Sequence, residues 1–183
     1  MNLHVNRAVD VLAGGGVIAY PTEAVWGLGC DPLNEFAVQR LLRLKSRPVE
    51  KGLILITGQL SHFDDILSAL TAMQAERLKS TWPGPVTWLV PDQWSVPEWI
   101  KGEFTSIAIR VTDHPLVAAI TERFGGPIVS TSANPTLKPA AKSKLRVHQY
   151  FGADIDYIVP GALGGLSRPS QIIDLASDTI VRN

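Results

Sequence analysis

The stretch VIAYPTEAVWGLG at residues 17–29 decides how this chain is interpreted. Residues 17–20 are an uninterrupted apolar and aromatic run, which predicts a short buried strand. The strand leads directly into Pro-Thr-Glu at residues 21–23, and the two glycines that follow permit tight turns. A hydroxyl and a carboxylate therefore follow a buried strand, where layered α/β proteins place functional groups. A structural turn that carries a packed Trp26 is the simpler alternative, and this segment alone leaves both open.

Apolar periodicity along the rest of the chain predicts alternating strands and helices in one continuous unit. The predicted strands lie at residues 17–20, 53–56, 86–90, 106–111, 128–131, 157–159, 171–175 and 179–182. The predicted helices begin at residues that can cap a helix, namely Asn6, Asn34, Ser61, Thr71, Asp113 and, approximately, Ser143. This alternation predicts an α/β fold with some α+β character: a single domain over residues 1–183 in which helices flank a twisted mixed sheet.

Composition and charge limit the function classes. The chain has 183 residues, of which 45% are hydrophobic, so one domain with a substantial core is expected. Its 17 basic and 17 acidic residues balance, whereas a protein that coats nucleic acid is usually basic overall. The single cysteine, Cys30, excludes an internal disulfide. The sequence has no signal-peptide pattern and no apolar run of about 20 residues, so we expect a cytoplasmic protein without a membrane segment.

A second polar cluster places three cations, Lys45, Arg47 and Lys51, at the predicted end of a helix. Cations at this end of a helix often do no more than complement the helix dipole. Because Pro48 bends the segment, however, the three side chains cannot all lie along one helix face. A lysine acts as a point charge and an arginine as a two-pronged donor, so the cluster is a candidate site for a triphosphate.

Two further clusters follow predicted strands. Residues 130–134, with the sequence STSAN, supply three hydroxyls and an amide, which suit phosphate oxygens or an amino-acid ligand. Arg110 lies near the end of a strand, and the tail at residues 168–174 reads RPSQIID. Each has a simpler alternative, because a hydroxyl-rich turn is often only solvated. Together, however, the four clusters predict a local anion-binding cavity.

Other common chemistries lack their residues. The chain has no G-x-x-x-x-G-K-[ST] phosphate loop, and the glycines at 14–16 precede a strand instead of following one. Its four histidines are scattered without ligand spacing, so we assign no metal-binding residues. Cys30 has no paired base nearby in the sequence, which argues against a thiol nucleophile. The sequence therefore favours chemistry that depends on positioning and charge, as phosphoryl transfer does.

These clusters, in this order, resemble the YrdC-type threonylcarbamoyl-AMP synthase family. The most specific pieces are PTEAVWGLG at 21–29, KSRP at 45–48 and SAN at 132–134, and the likeness extends from Gly16 to Arg182. The chain is most similar to the short bacterial form, which lacks the extra carboxyl-terminal domain of longer members. The resemblance implies a YrdC-like fold, in which the twisted sheet encloses a basic cavity. It also implies that L-threonine, bicarbonate and ATP, with Mg²⁺ and no prosthetic group, give threonylcarbamoyl-adenylate and pyrophosphate.

The resemblance also implies partners and residue roles. The adenylate would serve a downstream threonylcarbamoyl-transferase complex that makes N6-threonylcarbamoyladenosine in tRNA. The catalytic residues implied are Lys45 and Arg47. The ATP-binding residues implied are Lys45, Arg47, Ser132, Asn134 and Arg182. The threonine-binding residues implied are Thr22, Ser130, Ser170 and Arg110, of which the arginine takes the carboxylate.

Two departures from the family pattern concern loop geometry. The family often has S-A-N-x-S-G where this chain has SANPTL at 132–137, so Leu137 stands at a glycine position. A leucine there cannot adopt a positive φ without cost. In the tail, Gln171 replaces a threonine of the family's S-T-[IV]-V-D pattern. Neither departure touches Lys45 or Arg47, so we expect the function to be kept.

Two other functions could use the same residues. A module that binds double-stranded RNA or tRNA could hold backbone phosphates, although neutral net charge counts against this as the sole function. A sugar-phosphate enzyme on a related fold would need acidic metal ligands, and Glu23 is the only acid in the four clusters before Asp174. Pyrophosphate release that depends on threonine and bicarbonate separates the synthase from both.

Overall fold

The structure, a computed structural model, describes residues 2–93 and 96–182. Its α-helices are α1 (Asn2–Ala13), α2 (Glu35–Lys45), α3 (Asp64–Ser68), α4 (Ala72–Thr81), α5 (Glu98–Lys101), α6 (Pro115–Phe124) and α7 (Lys144–Phe151). Its strands are β1 (Ile18–Pro21), β2 (Trp26–Gly29), β3 (Ile54–Thr57), β4 (Val86–Pro91), β5 (Ser106–Val111), β6 (Ile128–Ser132), β7 (Tyr157–Ile158), β8 (Gln171–Asp174) and β9 (Ile180–Arg182).

The strands form one nine-stranded sheet in the order β7-β1-β2-β6-β3-β5-β4-β8-β9. Their directions are mixed, because β3 is parallel to β5 and β4 to β8, whereas β2 is antiparallel to β6 and β8 to β9. The predicted α/β fold with a twisted mixed sheet and flanking helices is therefore confirmed. No helix in the described part of the chain is both long and apolar enough to cross a lipid bilayer.

The stretch at residues 17–29 forms two strands, β1 and β2, which pair as an antiparallel hairpin. Trp26 is buried in the core, as in the simpler interpretation of this segment, but it starts a strand instead of lying in a turn. The two glycines lie within β2 and do not form the tight turns that they would permit. A Cβ atom on Gly29 would lie 2.5 Å from the carbonyl oxygen of Val129 and 2.8 Å from Cε1 of Tyr20. Glycine is required there because β2 lies tightly against its neighbours.

Alternate residues of the central strands face opposite sides of the sheet, and this alternation creates the site. Ile109 and Val129 belong to the main core cluster, which also includes residues of α2 and α4. On the opposite side, α1 and α6 pack against Ile56. Arg110 and Ser130, the next residues along β5 and β6, line a cavity. One face of these strands therefore builds the main core, whereas the other face is shared between the smaller core around Ile56 and the polar groups of the cavity.

Several predicted helix ends are confirmed. The side chain of Asn34 accepts a hydrogen bond from the backbone N–H of Ala37 at 3.1 Å and caps α2. Thr71 and Gln74 form the predicted capping box at the start of α4. Ser143 caps α7, because its hydroxyl oxygen accepts a hydrogen bond from the backbone N–H of Arg146 at 3.2 Å. These ends were predictable because a cap depends on residues three or four positions apart.

Three predicted helix starts are wrong. The first helix begins at Asn2, not Asn6, because its buried apolar stripe already begins at Val5. The helix predicted from Asp113 begins at Pro115, with His114 at its N-cap position and no side-chain cap. The backbone N–H of His114 donates to Oγ1 of Thr112 at 3.1 Å. The helix predicted from Ser61 begins at Asp64 after a 3-10 turn over Leu60–Phe63.

The loop that follows β6 is fixed against the end of α2. The backbone N–H of Thr136 donates to the carbonyl oxygen of Lys45 at 2.7 Å, and its hydroxyl donates to that of Ser46 at 2.8 Å. The next residue, Leu137, has a φ of 68° and a side chain that is 99% exposed. The loop therefore adopts the left-handed conformation at Leu137, at the cost expected for a residue with a side chain.

Leu137→Gly should increase the free energy of unfolding by about 0.5–1 kcal/mol. The substitution removes a left-handed penalty of about 1–2 kcal/mol, partly offset by the larger entropy of glycine in the unfolded chain. Urea denaturation measures the change. Leu145→Gly is the control, because Leu145 is also exposed but lies in α7, where glycine should cost about 1 kcal/mol. Equal losses in both variants would contradict the prediction.

Candidate functional site

Two cavities open on the sheet face that carries Arg110 and Ser130. The polar cavity has a volume of about 160 Å³, and its polar lining residues are Thr22, Arg110, Ser130, Thr131, Ser132, Asn134, Ser170 and Arg182. The apolar cavity has a volume of about 210 Å³, and its lining includes Leu53, Leu89, Ile100, Phe104, Ile172, Val181, Arg47, Lys51 and Lys101. The cavities adjoin, because Ile54, Ser130 and Thr131 line both.

The polar cavity brings together all the residues predicted for the site except Lys45 and Arg47. They come from the β1–β2 turn, from β5, β6 and β9, and from the loops next to β6 and β8. Arg47 lines the apolar cavity instead, and Lys45 is not among the lining residues given for either cavity. The ordered sequence clusters therefore converge in space, although the two cations of the KSRP segment occupy different positions relative to the cavities.

Arg110 is paired with Glu23. Its Nη2 donates to Oε2 of Glu23 at 2.9 Å, and both side chains are 7% exposed. The other carboxylate oxygen accepts a hydrogen bond from the hydroxyl of Thr112. A buried charge is tolerated when it is paired and hydrogen-bonded, which explains how an arginine can stand in the wall of this cavity. The pairing also fixes the direction of the guanidinium.

The hydroxyls of Thr22 and Ser170 have defined donors and acceptors. The Thr22 hydroxyl donates to the carbonyl oxygen of Val25 at 2.7 Å, so its own oxygen can act as an acceptor. Ser170 Oγ lies 3.1 Å from the hydroxyl of Thr87 and accepts from Nη2 of Arg182 at 3.2 Å. Both hydroxyls are buried, so they are oriented before any ligand arrives.

Arg182 places a second guanidinium in the polar cavity. Its Nη2 also donates to the carbonyl oxygen of Ser170 at 2.8 Å, which ties β9 to the loop before β8. Burial lowers the pKa of Arg182, and the charges of Arg110 and Arg47 lower it further. The three arginines are therefore close enough to repel one another, and a bound anion would relieve that repulsion.

Lys45 is buried at the end of α2. Its residue is 3% exposed, and its Nζ donates to the carbonyl oxygens of Ser132 and Asn134, the latter at 2.7 Å. Burial and, to a smaller extent, the charge of Arg47 together lower the pKa of Lys45 to about 7. In this structure the lysine therefore ties the end of α2 to the SAN segment.

Arg47 lies against main-chain oxygens on one edge. Its Nη2 donates to the carbonyl oxygens of Gly52 at 2.9 Å and of Lys51 at 3.1 Å. Its Nε is buried without a hydrogen-bond partner, and burial lowers the pKa of the guanidinium. An unsatisfied buried donor on a cation is costly, so this position favours an anionic ligand.

Asn134 combines a fixed amide with an open acceptor. Its Nδ2 donates to the carbonyl oxygens of Lys138 at 2.6 Å and Pro135 at 3.1 Å. Its Oδ1 is buried without a hydrogen-bond partner. The side chain thereby braces its own loop, and its carbonyl end remains available to a ligand that carries a donor.

The residues of the cavities suit a metal ion that arrives with a ligand. No group of three or more His, Cys, Asp or Glu side chains that could hold a metal occurs within residues 2–93 and 96–182. Glu23 is occupied by Arg110 and Thr112. Mg²⁺ commonly takes most of its ligands from substrate phosphates and water, and few from the protein. The site therefore fits Mg²⁺ carried by a polyphosphate and offers no dedicated cage for a resident ion.

Sequence reasoning did not identify two features of the site. Glu23 and Thr112 act together on Arg110, but they are 89 positions apart, and no local pattern links them. The apolar cavity was also not foreseen, because its strand residues, such as Ile54 and Leu89, have the same residue types as the core. The period-two alternation of β5, with Ile109 in the core and Ala108 and Arg110 off it, was the available signal.

The comparisons with known proteins identify relatives over the whole chain. A family model named Sua5_yciO_yrdC, described as telomere recombination, matches residues 10–183. A Hahella chejuensis protein named threonylcarbamoyl-AMP synthase is 53% identical over 178 residues, which cover 97% of each chain. A Stutzerimonas stutzeri protein of the same name is 56% identical over 178 residues, which cover 97% of this chain and 96% of that one.

A solved structure shares the fold. The crystal structure of P. abyssi Sua5 complexed with L-threonine matches with a TM-score of 0.87 and 32% identity, and covers 96% of this chain. The present chain spans 52% of that longer protein. The match therefore concerns one part of the P. abyssi protein, and almost all of this chain.

Lys45 should give a titration near neutral pH. Lysine labelled with ¹³C at Cε should show one NMR signal that titrates near pH 7, because burial lowers the pKa of Lys45 from 10.5 to about 7. That signal should be absent in Lys45→Met and present in Lys79→Met, which alters an exposed lysine of α4.

The lowered pKa of Lys45 also makes the free energy of unfolding depend on pH. Between pH 7 and 10.5 the unfolded chain binds more protons at Lys45 than the folded one, so the free energy of unfolding should rise with pH relative to Lys45→Met. Urea denaturation across this range measures the difference. A constant difference, or one that falls with pH, would contradict a lowered pKa.

Proposed function

This chain belongs to the Sua5_yciO_yrdC family, and from that membership we propose that it is a threonylcarbamoyl-AMP synthase. It condenses L-threonine, bicarbonate and ATP into threonylcarbamoyl-adenylate. The amine of threonine takes up bicarbonate as a carbamate with loss of water. A carbamate oxygen then bonds to the α-phosphorus of ATP as the bond to the pyrophosphate leaving group breaks. The observation that carries the proposal is one polar cavity that brings together residues predicted to bind the amino acid and residues predicted to bind phosphate.

The threonine subsite of the proposal comprises Thr22, Arg110, Ser130 and Ser170. Arg110 has five N–H donors, and its hydrogen bond to Glu23 leaves others for a carboxylate. The Thr22 oxygen can accept the hydroxyl of the substrate, because its own proton is directed to Val25. A site that hydrogen-bonds a substrate hydroxyl can reject analogues that lack it, which would favour threonine over valine. The structure of the P. abyssi relative in complex with L-threonine supports threonine as the ligand.

The nucleotide subsite of the proposal lies where the two cavities adjoin. Arg47 and Arg182 would hold phosphate oxygens, with the hydroxyl of Ser132 as a further donor. The amide nitrogen of Asn134 is used within its own loop, so its open Oδ1 would accept a hydrogen bond from a donor group of the nucleotide instead. Together with Arg110, the two arginines would form the basic cavity expected from the sequence. The apolar cavity beside them, walled by residues such as Leu89, offers an apolar surface for the adenine ring. Fixed cations of this kind stabilise charge that develops during transfer at phosphorus.

Lys45 would contribute to the same subsite in a second way. Its ammonium lies on the carbonyl oxygens of Ser132 and Asn134, next to the predicted phosphate ligands. A triphosphate oxygen would compete with these carbonyls for the three N–H donors of the lysine. Binding of an anion favours the charged form, so it would raise the pKa of Lys45 from about 7. Mg²⁺ would enter with ATP and neutralise phosphate charge there.

The proposal includes a cellular context. The adenylate would pass to a threonylcarbamoyl-transferase complex for modification of tRNA, which places the enzyme in the cytoplasm. Direct binding of tRNA or double-stranded RNA remains a prediction from the sequence. Its signature would be an RNA affinity that falls steeply with salt.

The decisive assay incubates the purified protein with ATP, L-threonine, bicarbonate and Mg²⁺, and measures pyrophosphate and the adenylate. We expect pyrophosphate only when all three substrates are present, because the carbamate is the attacking group. Valine in place of threonine should give less than about one hundredth of the activity if a hydroxyl partner is used. Pyrophosphate release that is independent of threonine and bicarbonate would refute the proposal.

Arg47→Ala should lower kcat/KM for ATP by about 100-fold or more, because it removes a charged donor from the phosphates. Lys45→Met should lower activity similarly and should also loosen the SAN loop, since it removes two hydrogen bonds. Arg43→Ala is the matched control, because Arg43 is an exposed cation near the end of α2, the helix that carries Lys45 and is followed by Arg47. Circular dichroism checks folding. Wild-type activity in Arg47→Ala would show that this residue is not a phosphate ligand.

A further inference from the structure

Glu23 is hydrogen-bonded to Arg110 in the wall of the polar cavity but is not itself among the lining residues. No aspartate or glutamate is among the described residues that line either cavity, so the charge of the lining itself is positive. We propose that Glu23 is a specificity-determining and positioning residue: it neutralises Arg110 and so divides the site into a nearly neutral subsite for one carboxylate and a cationic subsite for phosphates. This inference rests on the proposed function, because it assigns the two subsites to threonine and ATP.

The geometry makes Glu23 a fixed support for Arg110. One carboxylate oxygen accepts from Nη2 of Arg110 at 2.9 Å, and the other accepts from the hydroxyl of Thr112. The backbone of Glu23 is itself held, because its carbonyl oxygen accepts the N–H of Leu166 at 3.0 Å. With both oxygens engaged and only 6% of the residue exposed, Glu23 can act on a ligand only through Arg110 and through its charge.

The charge of Glu23 matters because three arginines are close together. Burial and the charges of Arg110 and Arg47 lower the pKa of Arg182, which indicates mutual repulsion. If all three charges were uncompensated, a polyphosphate could bind at Arg110 as well as at Arg47 and Arg182. The carboxylate of Glu23 cancels the attraction at Arg110 alone, since it is ion-paired with that residue.

This arrangement discriminates between the two anionic groups of the reaction. The carboxylate of threonine carries one charge and can bind the remaining N–H donors of Arg110 by hydrogen bonds. A pyrophosphate group carries several charges at the same spot, and the buried carboxylate behind Arg110 repels them with little screening. Glu23 thereby keeps ATP and the product pyrophosphate out of the amino-acid subsite, where they would block threonine.

Product inhibition of the wild-type enzyme tests the division without any substitution. With Glu23 in place, pyrophosphate should compete with ATP and should not compete with threonine. Calorimetry should likewise show that saturating threonine leaves the affinity for pyrophosphate within about twofold. Competition between pyrophosphate and threonine in the wild type would overturn the inference.

Glu23→Gln removes the charge and keeps the shape and an acceptor oxygen. We expect its inhibition by pyrophosphate to become competitive with threonine, with a Ki lower by about tenfold or more. Glu23→Asp, which retains the charge, should keep the wild-type inhibition pattern even if the KM for threonine rises. Thr112→Val, which loses a hydrogen bond but no charge, should also keep that pattern. If Glu23→Gln folds but keeps it too, the role of Glu23 is only structural and the inference is wrong.

Asp156→Asn controls for net charge. Asp156 is also a carboxylate paired with an arginine, Arg40, but neither residue lines the cavities. The inhibition pattern of Asp156→Asn should match the wild type.

The outcomes also separate the two proposals. If the wild type shows no threonine-dependent pyrophosphate release, the proposed function fails, whereas pyrophosphate calorimetry with Glu23→Gln still tests the charge effect. If Glu23→Gln does not fold, the wild-type measurements decide.

Discussion

A cation inside a protein needs oxygen partners, and this requirement organises the whole site. Each of the four cations is held on one side by oxygens of the protein: Lys45 by two main-chain carbonyls, Arg47 by two more, Arg110 by a carboxylate and Arg182 by a serine. For Lys45 and Arg110, which are buried, these contacts offset the desolvation cost of the charge, whereas Arg47 is half-buried and Arg182 is exposed. The cations are therefore oriented before a ligand arrives, and catalysis by positioning depends on such preorganisation.

The oxygen partners also join separate parts of the fold. The contacts of Lys45 connect α2 to the SAN loop, those of Arg110 connect β5 to the β1–β2 turn, and those of Arg182 connect β9 to the loop before β8. The ligand groups thus come from distant segments, and the mixed sheet provides their common frame. Because β3 lies between β5 and β6, Arg110 and Ser130 stand two strands apart on one face.

The sequence predicted most elements of this frame and was wrong at specific places. Strands β5, β6 and β8 and the caps at Asn34 and Thr71 were predicted, because alternation and capping act over a few residues. Strand β2 was not predicted, because its glycines were interpreted by their conformational freedom, whereas at Gly29 the packing requires the small size. A positive φ at Leu137 was expected to be energetically unfavourable, and the loop nevertheless adopts it.

By itself, the sequence determined the residue inventory, the local elements and the family, and therefore the class of reaction that we propose. Only the tertiary structure decided that Lys45 is buried on carbonyl oxygens, that an apolar cavity adjoins the polar one, and that Glu23 pairs with Arg110. The physical reason is the separation along the chain between the residues that interact. Caps and strand periodicity depend on neighbours along the chain, whereas the charge state and direction of a buried side chain depend on partners that sheet pairing brings together, here from 87 positions away.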